Sequence, residues 1–192
     1  MDAPPAAALP PWRSLLRGAR EREGRSPLSR WLQLATVAVD GTPRVRTLVF
    51  RGWGGPASLD LLTDSRSSKA AELEHQPAAE LCWLLPKARC QFRLRGRHLL
   101  LPQEQDQEQR LRLWRQLTPS GRSLWAWPPP GQPLDRSAPF PSALEEGLDQ
   151  PESFLLLRFE LSQVELLELG PQPHHRRRWR AASGWLEEWL NP

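Results

Sequence analysis

The chain has 192 residues, of which 39% are hydrophobic and 25% charged. That length and balance suit one globular domain with its own core. No run of 18 apolar residues occurs, which excludes a membrane-spanning helix, and two cysteines, Cys82 and Cys90, make neither a disulfide framework nor a zinc site. The net charge of +4 and the pI near 10.0 permit an anionic partner without naming one.

Residues 1–11 read as a loose tail. The opening MDAPPAAALPPW carries an acid, no basic segment and several prolines. It is a poor signal peptide, so a soluble, cytoplasmic protein is expected. Residues 11–23 are expected to be helical, with Trp12, Leu15 and Leu16 on one face. WLQLATVAV, residues 31–39, is rich in strand formers and stops at Asp40-Gly41, a hairpin signal. RVRTLVFR, residues 44–51, is the partner strand, and residues 58–63 add a third after GWGGP.

A helix over 67–75 is followed by strands over 79–85 and 91–101. In the second of these, Phe92 and Leu94 alternate with Arg93 and Arg95, the period of a half-buried strand. Residues 105–117 form an amphipathic helix with Leu111, Trp114 and Leu117 on one stripe. Residues 127–141 are a proline-rich loop. A long strand over 154–169 and two short ones over 175–180 and 185–190 close the chain. About seven strands, three or four helices and no βαβ rhythm predict one domain over residues 12–192. The expected fold is mainly β with added helices, a six- to seven-stranded antiparallel split barrel.

The sharpest chemical feature is LLTDSRSSKAAEL, residues 61–73, where a strand ends, a Ser/Thr/Asp cluster turns and a helix begins. A helix start carries free N–H groups and partial positive charge, so it favours an anion. Ser67 and Ser68 add hydroxyls. Lys69, in the first turn, opposes the helix dipole unless an anion binds there. In the strand PRVRTLVFRG, Arg44 and Arg46 share one face and Arg51 lies on the other. Arginine's fork suits phosphate oxygens, although exposed strand arginines are common without any ligand.

These blocks together resemble the flavin site of the pyridoxamine 5′-phosphate oxidase family. The resemblance runs through Arg46 to Arg51, Thr63 to Lys69, Gln91 opening a later strand, and His174-x-Arg176 followed by W-x-x-x-x-L-x-P. It covers about residues 31–101 and 154–192. The Trp127-Pro-Pro-Pro-Gly loop is similar to a cyanobacterial-type FMN-binding branch. The resemblance implies an FMN-binding barrel of Greek-key type that forms homodimers, with each flavin in a cleft between subunits. It implies that Arg46 and Lys69 neutralise the FMN phosphate with Ser67 and Ser68 donating to it. Thr47, Leu48, Val49, Leu62 and Thr63 would line the flavin. Gln91 and Arg176 would reach it from later blocks, and Gln132 from the loop. Arg51 would contact flavin or substrate, and His174 substrate. No catalytic residue is implied.

The expected activity is an FMN-dependent oxidoreductase with an altered substrate site. The alternatives are a flavin carrier without turnover, or a barrel that has lost its cofactor. The family grips its substrate phosphate with a strand Lys, a Tyr, an Arg and a Ser. Here the strand position is Arg51, and the chain has no tyrosine. HHRRRWR, residues 174–180, resembles a nucleic-acid grip, but no nucleic-acid motif accompanies it, and alternating outward arginines on a strand are the plainer reading. His174 and His175 lack a third ligand at helpful spacing, so no metal is expected.

Overall fold

A computed structural model describes residues 8–145 and 147–192. Most of the expected tail, residues 1–7, therefore lies outside the described residues. Helix α1, Trp12–Glu23, buries Trp12, Leu16, Ala19 and Glu23, one stripe at helical spacing. Gly24, at φ +61°, ends it. Strand β1, Trp31–Val37, alternates buried and exposed residues as its sequence requires. It turns at Asp40-Gly41, where Gly41 takes φ +79° and the Asp40 carboxylate accepts from the Thr42 amide at 2.9 Å.

Strand β2, Pro43–Gly55, pairs with β1 so that Trp31 faces Val49, Gln33 faces Thr47 and Ala35 faces Val45. It runs past its expected end at 51 through Gly-Trp-Gly-Gly. An added Cβ at Gly54 would lie 2.1 Å from Arg158 Nε, so glycine lets the strand pass the buried Arg158–Asp60 pair. Strand β3 is Ser58–Asp64, helix α2 Ser68–His75, β4 Ala78–Leu85 and β5 Cys90–Leu99. Helix α3, Gln103–Arg115, and a short helix α4, Pro119–Ser123, precede the proline-rich segment; α4 was not expected from sequence. Strands β6, Phe154–Glu168, β7, His175–Arg180, and β8, Glu187–Leu190, complete the chain.

The sheet order is β3-β2-β1-β4-β5-β6-β7-β8, and β3 also pairs with β6. The first six strands thereby close into an antiparallel barrel, and β7 and β8 extend beyond it. Strand β6 makes this possible by its length: residues 154–160 pair with β3, and residues 163–168 pair with β7. The barrel is filled by Leu32, Leu34, Leu61, Leu81, Trp83, Phe92 and Phe159, with α1 packed over it. A second cluster, Leu62, Leu113, Trp114, Leu117, Trp125, Phe154 and Leu156, lies under α3 and α4. No helix of the described residues is long and apolar enough to cross a membrane.

Candidate functional site

Strand β3 ends with Leu62 and Thr63 buried, and the chain then turns tightly into α2. The Asp64 carboxylate accepts from the Arg66 amide at 2.8 Å and from its guanidinium at 2.6 Å, fixing the turn. Ser67 stands at the N-cap of α2. Its hydroxyl donates to the Asp64 carbonyl at 2.6 Å and does not cap the helix. The first-turn amides of α2 are thus left without a side-chain partner.

Lys69 projects from that first turn. Its Nζ donates to Thr63 Oγ1 at 3.1 Å, and Thr63 Oγ1 lies 3.3 Å from the Ser67 hydroxyl. Among the described residues no carboxylate forms an ion pair with Lys69. Burial, and then the charge of Arg46, lower its pKa below the usual lysine value. Lys69 is thus a half-buried ammonium whose side-chain hydrogen-bond partner is a hydroxyl, with Arg46, Asp64 and Glu72 near enough to act on its charge.

Lys69 and Thr63 line one end of a cleft of about 500 Å³. One wall is β2 and β3: Thr47, Leu48, Val49, Arg51 and Leu62. The other is apolar and comes from the proline-rich segment, with Trp125, Trp127, Pro128–Pro130, Leu134 and Phe140. A smaller pocket joins Ser67, Ser68, Lys69 and Arg66 to Pro130, Gly131 and Gln132. Arg51 is half-buried in the cleft wall with Nε buried and unbonded. Burial, and then Arg30, lower its pKa below the ordinary arginine value.

The proline-rich segment is irregular, as expected, but it is tied down. Trp125 Nε1 donates to the Thr63 carbonyl at 3.1 Å, and Arg66 donates to the Trp127 carbonyl at 3.0 Å. Trp127 Nε1 reaches the Pro141 carbonyl at 2.9 Å, and its ring stands edge-on to Phe140. The turn between β3 and α2 therefore also positions the apolar wall. Trp127 was expected from the Trp-Pro-Pro-Pro-Gly loop, but Trp125, Phe140 and Arg66 were not singled out from sequence. Their signal was the tryptophan pair flanking the prolines.

Arg46 stands near Lys69 but does not line the cleft. Its guanidinium pairs with Glu72 at 2.5 Å and also bonds Thr36. Gln91 and Arg176 lie elsewhere, lining a small pocket with Arg93, Glu165, Leu167 and Pro192. There Arg176 pairs with Glu165 at 2.7 Å. Within one chain β1 and β4 separate β2 from β5, three strand spacings or about 14 Å. His174 holds its Nδ1 3.1 Å from the Pro171 carbonyl and is not among the residues lining the cleft. The remaining arginines of HHRRRWR are paired: Arg177 with Glu168 and Glu187, Arg178 and Arg180 with Glu188. Among the described residues no group of three or more metal-ligating side chains occurs.

The cleft's donor set suits a ligand with an anionic end and a flat, partly apolar body. Lys69 and the α2 amides answer the first, and the tryptophan- and proline-lined wall the second. A family model described as "Pyridoxamine 5′-phosphate oxidase, FMN-binding domain" matches residues 9–102. A curated relative from Arabidopsis thaliana, pyridoxine/pyridoxamine 5′-phosphate oxidase 2, is 34% identical over 169 residues, 83% of each chain. A pyridoxamine 5′-phosphate oxidase-related, FMN-binding protein from Nostoc punctiforme superposes with a TM-score of 0.84 at 34% identity, covering 96% of this chain and all of its own. PhzG from Burkholderia lata, 21% identical, shares the fold with a TM-score of 0.79 over 97% of this chain and 99% of its own.

Proposed function

Because the chain belongs to the pyridoxamine 5′-phosphate oxidase FMN-binding family, we propose that it is an FMN-dependent oxidoreductase whose substrate site departs from that of the family's oxidases. FMN is the cofactor of this domain family. The observation that carries the reading is Lys69, a half-buried cation with no carboxylate partner among the described residues, set at the mouth of an apolar-walled cleft. Lys69, Ser67, Ser68 and the first-turn amides of α2 would hold the phosphate. Thr47 to Val49, Leu62 and the Trp127 wall would sandwich the ring system and keep water from it. Bound flavin supplies two-electron redox chemistry; the protein supplies placement and electrostatics. Arg51, which lines the cleft, would orient an anionic group of the substrate.

The purified protein is expected to be yellow, with close to one FMN per chain. Anaerobic titration with candidate donors is expected to bleach the flavin. A coloured protein that no donor bleaches would favour the flavin-carrier reading. A colourless protein that ignores added FMN would overturn the proposal.

The functional unit in this reading is a homodimer. Trp31, Val45, Thr47 and Val49 face outward on the same sheet surface as Leu84, Gln91, Leu167 and Arg176, by the pairing of β2, β1, β4, β5, β6 and β7. Trp31 is 46% exposed, Val45 68% and Leu84 46%, a patch of apolar side chains between the cleft and the Gln91 pocket. A two-fold contact across this patch would bring Gln91 and Arg176 of one subunit to the cleft of the other, and so complete the site. Light scattering is expected to give twice the chain mass of 22.0 kDa. A fully FMN-loaded monomer would contradict this arrangement.

A further inference from the structure

Glu72 is nearly buried, one helical turn beyond Lys69, and three residues apart on a helix means the same face. It accepts from Thr36 Oγ1 at 2.5 Å and from the Arg46 guanidinium at 2.5 Å, and Arg46 also bonds Thr36. The fork of Arg46 is therefore occupied from inside the protein, and the phosphate region loses a neighbouring cation to an internal carboxylate. We infer that Glu72 acts as an internal anion that competes with the cofactor phosphate for Arg46, and so sets how strongly the protein prefers FMN over riboflavin. The inference rests on the reading that Lys69 marks the phosphate end of the cleft.

Two effects act in the same direction. Glu72 engages the guanidinium that would otherwise turn its donors toward a phosphate beside Lys69. It also adds a negative charge one turn from where a dianion would sit. Burial would raise its carboxyl, but the hydrogen bonds from Thr36 and Arg46, together with the charge of Arg46, bring it below the usual carboxylate value. The negative charge is therefore in place at neutral pH. At the effective dielectric of a protein surface, one unit charge this near a phosphate changes affinity by about tenfold or more.

The test is Glu72→Gln in the full chain, stripped of flavin and titrated with FMN and with riboflavin by fluorescence quenching. Glutamine keeps a carbonyl acceptor for Thr36 and Arg46 and removes only the charge. FMN is expected to bind about tenfold tighter or more, and riboflavin with unchanged affinity. Glu72→Ala, which leaves Arg46 with Thr36 as its side-chain partner, is expected to shift FMN in the same direction, and it carries the test if the glutamine variant does not fold. Lys69→Ala serves as the control for the underlying reading. Unchanged or weakened FMN binding in the Glu72 variants, while Lys69→Ala still separates FMN from riboflavin, would overturn the role of Glu72 alone. If Lys69→Ala weakens both flavins equally, the phosphate assignment falls, and the role of Glu72 with it.

Discussion

Replacing Lys69 by alanine is expected to weaken FMN binding ten- to a hundredfold and to leave riboflavin binding nearly unchanged. The lysine makes one hydrogen bond inside the protein, to Thr63, and no ion pair among the described residues. Its loss therefore disrupts little of the fold. What is lost is a charge-assisted bond to the phosphate, worth about 1.5–3 kcal/mol, or roughly one to two decades of affinity. Arg46→Ala should behave differently, because Arg46 is bound to Glu72 at 2.5 Å. Removing it leaves a buried carboxylate with Thr36 as its remaining partner, and breaking such a pair costs about 3 kcal/mol or more of stability. For Arg46 the main readout is a fall in Tm, with a smaller change in FMN preference than for Lys69. Fluorescence titration and thermal unfolding of both variants separate these outcomes. Equal losses of FMN and riboflavin in Lys69→Ala would mean that the residue supports the fold rather than the phosphate.

The barrel was legible because its signals are local. The strand formers of residues 31–39, the alternation in residues 91–101 and the Asp40-Gly41 turn each act within a few residues, and the structure places strands at Trp31–Val37 and Cys90–Leu99 and a turn at Asp40-Gly41. The Thr63-to-Lys69 turn was legible for the same reason. Long-range contacts were not. The wall formed by Trp125, Trp127 and Phe140 has no periodicity, and its position depends on the Thr63 carbonyl and Arg66, some 60 residues earlier in the chain. Arg46 reads in the sequence as a free cation, because its partner Glu72 lies on a helix 26 residues away. Strand β2 continues to Gly55 because Arg158, from β6, needs the space a side chain at Gly54 would fill. Gln91 and Arg176 belong to the family pattern, yet one chain places them on β5 and β7, in a pocket apart from the cleft.

Oxidation of pyridoxamine 5′-phosphate is expected to be slow or absent, although relatives carry the oxidase name. A phosphorylated substrate needs several anion partners at once, each worth about 1.5–3 kcal/mol. Where the family resemblance puts a tyrosine and an arginine, this chain has Leu113 and Trp114 at the end of α3 and Leu117 just beyond it, and these are not available to the cleft. All three are buried in the second apolar cluster, with Trp114 Nε1 donating to the Leu148 carbonyl at 2.8 Å. The chain has no tyrosine to supply the role from elsewhere. Arg51 remains, with its unbonded Nε in the cleft wall. Losing two of the phosphate's partners removes several kcal/mol of binding, enough to raise KM by orders of magnitude. Steady-state oxidase assays on FMN-loaded protein test this directly. Turnover of pyridoxamine 5′-phosphate at about 1 per second or faster, with a micromolar KM, would refute it. That result would mean that Arg51, with residues of a partner subunit, holds the substrate phosphate unaided by the helix.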